Sequence, residues 1–319
     1  MATETGSGEL IWAYLVHLGY NMWCDHEHNL DPNGPSHIAA KDYLRFDEPL
    51  WRELLPRMRD AGVNMVVIDI GEGLRYESHP ELAVKGSWPR EKLEEELAVC
   101  REFGLEPIPK LNFSACHDVW LGPYSRMLST KPYYDVVRDV ITEVSDIFKT
   151  PRFFHLGMDE ETAEHQRFYQ YCVIRQYDLW WHDFTFMAVA VEEAGPRPWI
   201  WSDYAWHHPE AFFEKMPKSV VQSNWYYGGE FKPDIAYVKA YDQIEAHGYD
   251  QIPTGSNWST KDNFEGTVRY CSQTIPRERL KGFLQTVWRP TIEEMRPKHL
   301  EAIACIERAR NAFIEDTNR

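Results

Sequence analysis

The sequence lacks several features that mark other classes of protein. Its six cysteines show no Cys-x-x-Cys spacing, and Cys100, Cys172 and Cys305 fall in predicted helical stretches, so the cysteines are predicted to be scattered buried thiols. No run of about 18 apolar residues occurs, so no membrane-spanning helix is predicted. A glycine-rich loop that could cradle a nucleotide phosphate is also missing. No cofactor or metal is therefore predicted from these patterns.

Basic residues are scarce relative to acidic ones. The 319 residues include 34 Lys and Arg against 50 Asp and Glu, which gives a formal net charge of -16. This charge repels nucleic acid and anionic membranes, so neither is predicted as a partner. Residues 1–8 also lack the basic and apolar regions of a secretory signal, and the chain as given is expected to be cytoplasmic unless a longer precursor is exported.

Aromatic residues are abundant, with 13 Trp, 17 Tyr and 15 Phe. Many of them fall just after predicted strands rather than on helix faces. Flat rings at such positions suit the faces of sugars, although large rings also fill ordinary protein cores. The composition therefore fits a carbohydrate partner without requiring one.

Short apolar segments alternate with helical segments along the whole chain. Strands are predicted at 10–19, 63–70, 105–112, from 151 onward, and at 198–203, 220–225, 249–254 and 282–288. Helices are predicted at 48–61, 88–103, 133–148, 162–194 and 297–314. Eight such strands predict a single (β/α)8 TIM barrel over residues 1–319, of the α/β class. Some connections between the last four strands are predicted to be short or non-helical.

The carboxyl ends of the strands carry acidic and aromatic residues. In a barrel of this kind the active site is built at those ends. The residues there are Asp69, Glu72, Asn112, Asp159, Glu160, Asp203, the 225–227 run and Trp288. Acids and flat rings without a phosphate loop favour a neutral carbohydrate substrate.

Asp159 and Glu160 are the pair around which this site is predicted. Repulsion between adjacent carboxyls should raise the pKa of at least one, as a general acid near neutral pH requires. The alternative is that both acids simply begin a helix. Because neighbouring residues on a strand face opposite sides, both can reach one pocket only if the strand ends before Asp159, and Gly157 makes that break plausible.

The stretch His155-x-Gly157-x-Asp159-Glu160 resembles the signature of glycoside hydrolase family 20, the β-N-acetylhexosaminidases. Residues 282–288, which end in Trp288, are similar to the eighth strand of that family, and residues 104–109 resemble the third. The resemblance implies a (β/α)8 barrel and a substrate-assisted mechanism, in which the acetamido group of the substrate attacks its own anomeric carbon.

The resemblance also implies roles for individual residues. Glu160 would be the acid and base, and Asp159 would orient the acetamido group. The side chains then predicted to bind the substrate are His155, Asn112, Asp203, Trp201, Trp225, Tyr226, Tyr227 and Trp288, with one of the two tyrosines holding the acetamido carbonyl. His155 is equally consistent with a buried core histidine.

Three positions depart from the family pattern. No arginine occurs in residues 17–23, where the family grips sugar hydroxyls. Trp288 is followed by Arg289 and Pro290 where the family commonly has a glutamate two residues on, and Met158 is bulkier than usual. These departures leave open a different sugar, an internal cleavage site or lost activity.

Three other interpretations remain open. A metal-dependent hydrolase could use loop ligands, which would be Asp25, His26, His28, His117 and Asp118. A retaining glycosidase could pair Glu160 with a separate nucleophile, Asp203 or Glu72. A non-enzymic barrel could bind sugar through residues 206–209 and 225–227.

Overall fold

The computed structural model describes residues 9–27, 30 and 34–317. Eight parallel strands form one sheet in the order β6-β5-β4-β3-β2-β1-β8-β7. They are β1 Ile11–His17, β2 Met65–Asp69, β3 Glu106–Lys110, β4 Phe153–His155, β5 Arg197–Trp201, β6 Val221–Ser223, β7 Thr254–Ser256 and β8 Gly282–Thr286. Isolated bridges from Gln222 to Gln251 and from Trp225 to Thr254 join β6 to the chain around β7. The predicted (β/α)8 barrel is confirmed.

The strands are buried on both faces, which explains the near-continuous apolar sequences of β1 and β2. In β1, Ile11, Ala13 and Leu15 belong to the cluster inside the barrel. Trp12 and Tyr14 belong to the larger cluster that also holds the apolar helix faces. The period of two along a strand thus divides one apolar run between an inner and an outer core.

Helices cover the outside of the barrel. They are α1 Glu48–Asp60, α2 Arg90–Glu102, α3 Lys131–Ile147, α4 Tyr177–Ala194, α5 Tyr204–His207, α6 Pro209–Lys215, α7 Ala236–Ala246, α8 Asn263–Thr274 and α9 Arg296–Thr317. Among the described residues, none of these helices is long and apolar enough to cross a membrane.

The predicted helix over 162–194 is wrong in its first half. Residues 162–176 form turns and irregular chain, and the helix begins only at Tyr177. Tertiary contacts explain the difference: the Arg175 guanidinium, 1% exposed, binds the Glu161 carboxylate at 2.7 Å and the buried Asp183 at 3.4 Å. The Gln166 side chain meanwhile accepts the backbone N–H of Val173 at 2.6 Å. These bonds fix an irregular path that local propensity does not encode.

The second half of the barrel also differs from the prediction. Each connection from β5 to β8 contains helix, supplied by α5 and α6, by α7 and by α8. Strand β7 lies at Thr254–Ser256 rather than at 249–254, because Pro253 has no N–H for a strand ladder and Gln251 forms only isolated bridges. Cys172, predicted as a buried helical thiol, is exposed and lies outside the helices.

Candidate active site

A sharp change of backbone direction follows β4. The strand ends at His155, and Gly157, Met158 and Glu160 then adopt left-handed φ angles of 71°, 76° and 55°. A Cβ atom on Gly157 would lie 2.0 Å from Oδ1 of Asn112, so only glycine fits there. The predicted end of the strand before Asp159 is confirmed, and the alternation of side chains no longer applies.

As a result both acids open into one cavity of about 270 Å³, here called the aromatic cavity. Its lining consists of Trp23, Asp159, Glu160, Trp225, Tyr227, Trp258 and Trp288. The Trp23 and Trp288 rings meet edge to face with centroids 6.1 Å apart, and Trp225 stacks on Tyr227 at 5.0 Å. The size is close to the lower end, roughly 300 Å³, of small-molecule sites, which suits a single sugar ring.

Trp23 and Trp258 are missing from the predicted site. Trp23 follows β1, and Trp258 follows β7 by two residues. The rule that aromatic residues after strands line the site would have selected both, because each lies four residues beyond a predicted strand, 10–19 or 249–254.

Asp159 is held by two neighbours from the loop after β3. One carboxylate oxygen accepts a hydrogen bond from Nδ2 of Asn112 at 2.8 Å, and the other lies 3.3 Å from Nε2 of His117. Oδ1 of Asn112 accepts the backbone N–H of Met158 at 3.2 Å. Asn112 is buried and does not line the aromatic cavity, so it orients Asp159 from behind rather than contacting a ligand there.

Glu160 lies between two histidines. Its carboxylate is 3.3 Å from Nε2 of His117 and 3.5 Å from Nε2 of His165. Burial would raise the Glu160 pKa, but these two histidines outweigh it and lower that pKa. Burial would likewise lower the pKa of His117, yet Asp159 and Glu160 raise it to about 10. His117 is therefore an imidazolium between two carboxylates at neutral pH.

The acid with a raised pKa is Asp203. Its carboxyl accepts the backbone N–H of Glu160 at 2.9 Å and lies 3.4 Å from the indole nitrogen of Trp225. Burial, together with the charge of Asp159, raises the Asp203 pKa to about 7. The predicted rise in pKa within the Asp159–Glu160 pair is thus not found at Glu160, because His117 and His165 lower the pKa of that carboxyl.

Besides Asn112 and Asp203, three more residues predicted to bind substrate do not line the aromatic cavity. His155 and Trp201 are buried beneath it, with ring centroids 4.3 Å apart, and the Trp201 ring packs 5.8 Å from that of Trp288. Nδ1 of His155 accepts the Gly157 N–H at 3.0 Å, and burial with the nearby Lys110 charge lowers its pKa well below the usual value. Tyr226 packs instead against Phe231 and Tyr237. These placements favour supporting roles.

The acids at the end of β2 and in the loop after it are also structural. The Asp69 carboxylate pairs with the buried Lys110 ammonium and lies 3.3 Å from His17. The Glu72 carboxylate accepts the backbone N–H groups of Tyr20 at 2.7 Å and Asn21 at 3.1 Å, and its side chain is buried. Glu72 therefore fixes the loop after β1 and is not oriented as a nucleophile.

Potential metal ligands converge at one place in the described ranges. Nitrogen and oxygen atoms of His117, Asp159 and Glu160 lie within 4.8 Å of one another. This set differs from the predicted loop set. Asp118 is buried beside Arg126, its carboxylate oxygen 3.3 Å from the guanidinium, and His28 lies outside the described residues. Only His117 is common to the two sets.

No family model matches the sequence, and no curated protein matches it. Solved structures do match the fold. A β-N-acetylhexosaminidase from Bacteroides fragilis has a TM-score of 0.62 at 13% identity, over 92% of this chain and 65% of that one. The pneumococcal virulence factor StrH gives 0.64 at 13%, over 94% and 84%. A family 20 exo-β-N-acetylglucosaminidase from Vibrio harveyi, in complex with N-acetylglucosamine, gives 0.61 at 12%, over 92% and 54%.

The chain is therefore a (β/α)8 barrel with the fold of these family 20 glycoside hydrolases. It spans between about half and five sixths of the length of those three structures. At such low identity the likeness concerns the fold, and the chemistry has to be argued from the site itself.

Proposed function

We propose that this protein is a glycoside hydrolase of the β-N-acetylhexosaminidase type that uses substrate-assisted catalysis. The observation that carries the proposal is the opening of Asp159 and Glu160, adjacent in sequence, into one aromatic cavity at the carboxyl ends of the strands. The similarity in fold to family 20 enzymes supports the same conclusion. The substrate class is an N-acetylated hexosamine glycoside.

In this mechanism the acetamido oxygen of the bound sugar attacks the anomeric carbon, and the glycosidic bond breaks. Glu160 donates a proton to the leaving oxygen and afterwards takes one from the water that opens the oxazoline. Asp159 accepts the acetamido N–H and stabilises the positive charge that develops on the ring. The hydrogen bond from Asn112 holds the Asp159 carboxylate ready for this contact.

Tyr227 is the better of the two tyrosine candidates for the acetamido carbonyl. Its hydroxyl oxygen accepts the Trp288 indole N–H at 2.8 Å, and Oγ1 of Thr286 lies at the long distance of 3.5 Å, so the phenolic hydrogen can turn from Thr286 to the substrate. Burial raises the Tyr227 pKa above its ordinary value, so the hydroxyl stays protonated as a donor. Tyr226 lies outside the aromatic cavity and cannot make this contact from its observed position.

The proton that Glu160 needs is close by. The raised pKa of His117 places that proton on its imidazole, whose Nε2 lies 3.3 Å from the Glu160 carboxylate. A neutral sugar that displaces water lowers the local polarity and disfavours separated charges, so the proton moves toward Glu160. His117 therefore serves as the proton reserve of the acid.

The missing arginine changes how the sugar is held. No arginine lines the aromatic cavity among the described residues. The Arg289 guanidinium lies 4.2 Å from the centroid of the Trp258 ring and donates to the Trp288 carbonyl at 2.8 Å, which orients two of the walls. The sugar is then gripped mainly by ring faces, which discriminate hydroxyl configuration less strongly than a charged hydrogen-bonding group does.

A protein nucleophile is less well supported. Glu72 is engaged by backbone N–H groups away from the aromatic cavity. Asp203 has a raised pKa and its carboxyl is occupied by Glu160 and Trp225, so it is a weak nucleophile near neutral pH.

The test compares wild type with Glu160→Gln, Asp159→Asn and Tyr227→Phe on 4-nitrophenyl glycosides of N-acetylglucosamine, N-acetylgalactosamine, glucose and galactose. We expect turnover of the N-acetylated sugars alone, with kcat reduced about 10²- to 10⁴-fold in the two acid variants. Glu164→Gln is the matched control, because Glu164 is an exposed acid of the same segment.

Turnover of the unacetylated glycosides with a nearly silent Asp159→Asn would point to a separate nucleophile. Binding of sugar without any turnover would point to the non-enzymic barrel.

A further inference from the structure

A second cavity, of about 190 Å³, adjoins the aromatic cavity. Its walls come from the segment after β4, from the start of α4 and from α5, and include Glu160, Tyr177, Asp203, Tyr204, His207 and His208. Glu160 lines both cavities, so any ligand that spans them passes this residue.

The second cavity presents an aromatic surface to solvent. The Tyr177 side chain is 70% exposed, although it opens a helix whose next aromatic, Trp180, is buried. The ring centroids of Tyr177 and His208 are 6.5 Å apart, and those of Tyr204 and His208 are 4.8 Å apart. Exposed rings flanked by polar side chains form the kind of surface on which a sugar ring packs its C–H bonds while its hydroxyls find partners.

Three residues that line the second cavity have a strained backbone conformation. Tyr177 has a left-handed φ of 53°, like Met158 and Glu160 in the same lining. Such angles are costly for residues other than glycine and tend to cluster at functional sites.

The segment before Tyr177 is not free to collapse into the second cavity. Arg175, two residues earlier, is buried, and its guanidinium binds the Glu161 carboxylate and the Phe113 carbonyl. The wall is therefore formed before any ligand arrives, which lowers the entropy lost on binding.

We propose that the second cavity binds the sugar of the leaving group, so that the substrate is an oligosaccharide whose cleaved bond lies beside Glu160. This inference rests on the proposed function, because it takes Glu160 as the residue that protonates the leaving oxygen. The sugar on the reducing-end side of the cleaved bond would stack on Tyr177. The sugar at the non-reducing end would occupy the aromatic cavity.

The test measures kcat/KM for N,N′-diacetylchitobiose and for methyl N-acetyl-β-D-glucosaminide, whose methyl group is too small to fill the second cavity. Tyr177→Ala should lower the ratio of the disaccharide value to the methyl glycoside value about tenfold, mainly through KM, because one stacking contact is lost. Tyr177→Phe should restore the ratio. Tyr171→Ala is the matched control, since Tyr171 is 67% exposed in the same segment but does not line the second cavity.

A Tyr177→Ala ratio within about twofold of wild type, or an equal fall in Tyr171→Ala, overturns the proposal. A binding measurement distinguishes a failure of the proposed subsite from a failure of the proposed function, because it does not require turnover. Glu160→Gln should bind N,N′,N″-triacetylchitotriose about tenfold more tightly than the methyl glycoside, by titration calorimetry, and Tyr177→Ala should remove that difference. Equal affinity for the two probes overturns the subsite, whether or not the wild type turns over either sugar.

Discussion

Gly157→Ala should damage both the stability and the activity of this protein. The left-handed φ of 71° costs an alanine about 1 to 2 kcal/mol. The new Cβ would also lie 2.0 Å from Oδ1 and 2.8 Å from Cα of Asn112, and forcing such contacts apart in a packed site costs roughly a further 1 to 3 kcal/mol. The total destabilisation is expected to be about 2 to 5 kcal/mol.

Gly104→Ala provides a matched control. Gly104 has nearly the same φ, 75°, but nothing lies within 4 Å of the added Cβ. It should therefore lose only the conformational part, about 1 to 2 kcal/mol. Urea denaturation of the two variants, followed by tryptophan fluorescence, measures the difference between them.

The activity of the folded Gly157→Ala variant should fall as well. Asn112 must move to admit the methyl group, and Asn112 orients the Asp159 carboxylate through a 2.8 Å hydrogen bond. A displacement on the order of 1 Å at a catalytic group can cost about a hundredfold in rate. Equal destabilisation of the two variants, or full activity in Gly157→Ala, would refute the argument that Gly157 is needed for its contact with Asn112.

Two further predictions follow from buried charges. The pKa of Asp203 in the folded protein, about 7, lies above that in the unfolded chain, so its contribution to stability is present below pH 4 and is lost as the pH rises to 7. Asp203→Asn should therefore raise the free energy of unfolding by up to about 4 kcal/mol at pH 8 but not at pH 4. A gain in stability that does not depend on pH would contradict this. Arg175→Leu removes the cation that pairs with the buried carboxylates of Glu161 and Asp183. It should lower the free energy of unfolding by about 3 to 5 kcal/mol, as measured by urea unfolding. Arg167→Leu, which breaks an exposed pair, should cost less than about 1 kcal/mol, and similar losses in the two arginine variants would count against the buried network.

The order of elements was largely predictable because a strand that is buried on both faces tends to be a run of apolar residues, which can be recognised in the sequence. The first two strands are near-continuous apolar runs, and the first three were all predicted within a few residues of their observed positions. The prediction failed at 162–176, where a helix was expected. Arg175 donates to the distant Phe113 carbonyl and Gln166 to the distant Ala115 carbonyl, and such contacts leave no periodic pattern in the sequence.

The site was predictable only in part. Gly157 and the two acids after it formed a recognisable motif, and the need for a break before Asp159 followed from strand geometry. The choice between Tyr226 and Tyr227 did not follow, because adjacent residues differ in direction by an amount that depends on the local turn.

The sequence by itself determined the barrel, the strand that carries the acid pair, and the aromatic character of what surrounds it. The tertiary structure alone decided which rings line the aromatic cavity and how charge is distributed around the acids. His117 and Asp203 reach the pair from the loops after β3 and β5; the pKa of Glu160 is lowered beside His117, and the raised pKa belongs to Asp203. Electrostatic interactions depend on distance through space and on burial, and neither quantity is encoded in spacing along the chain.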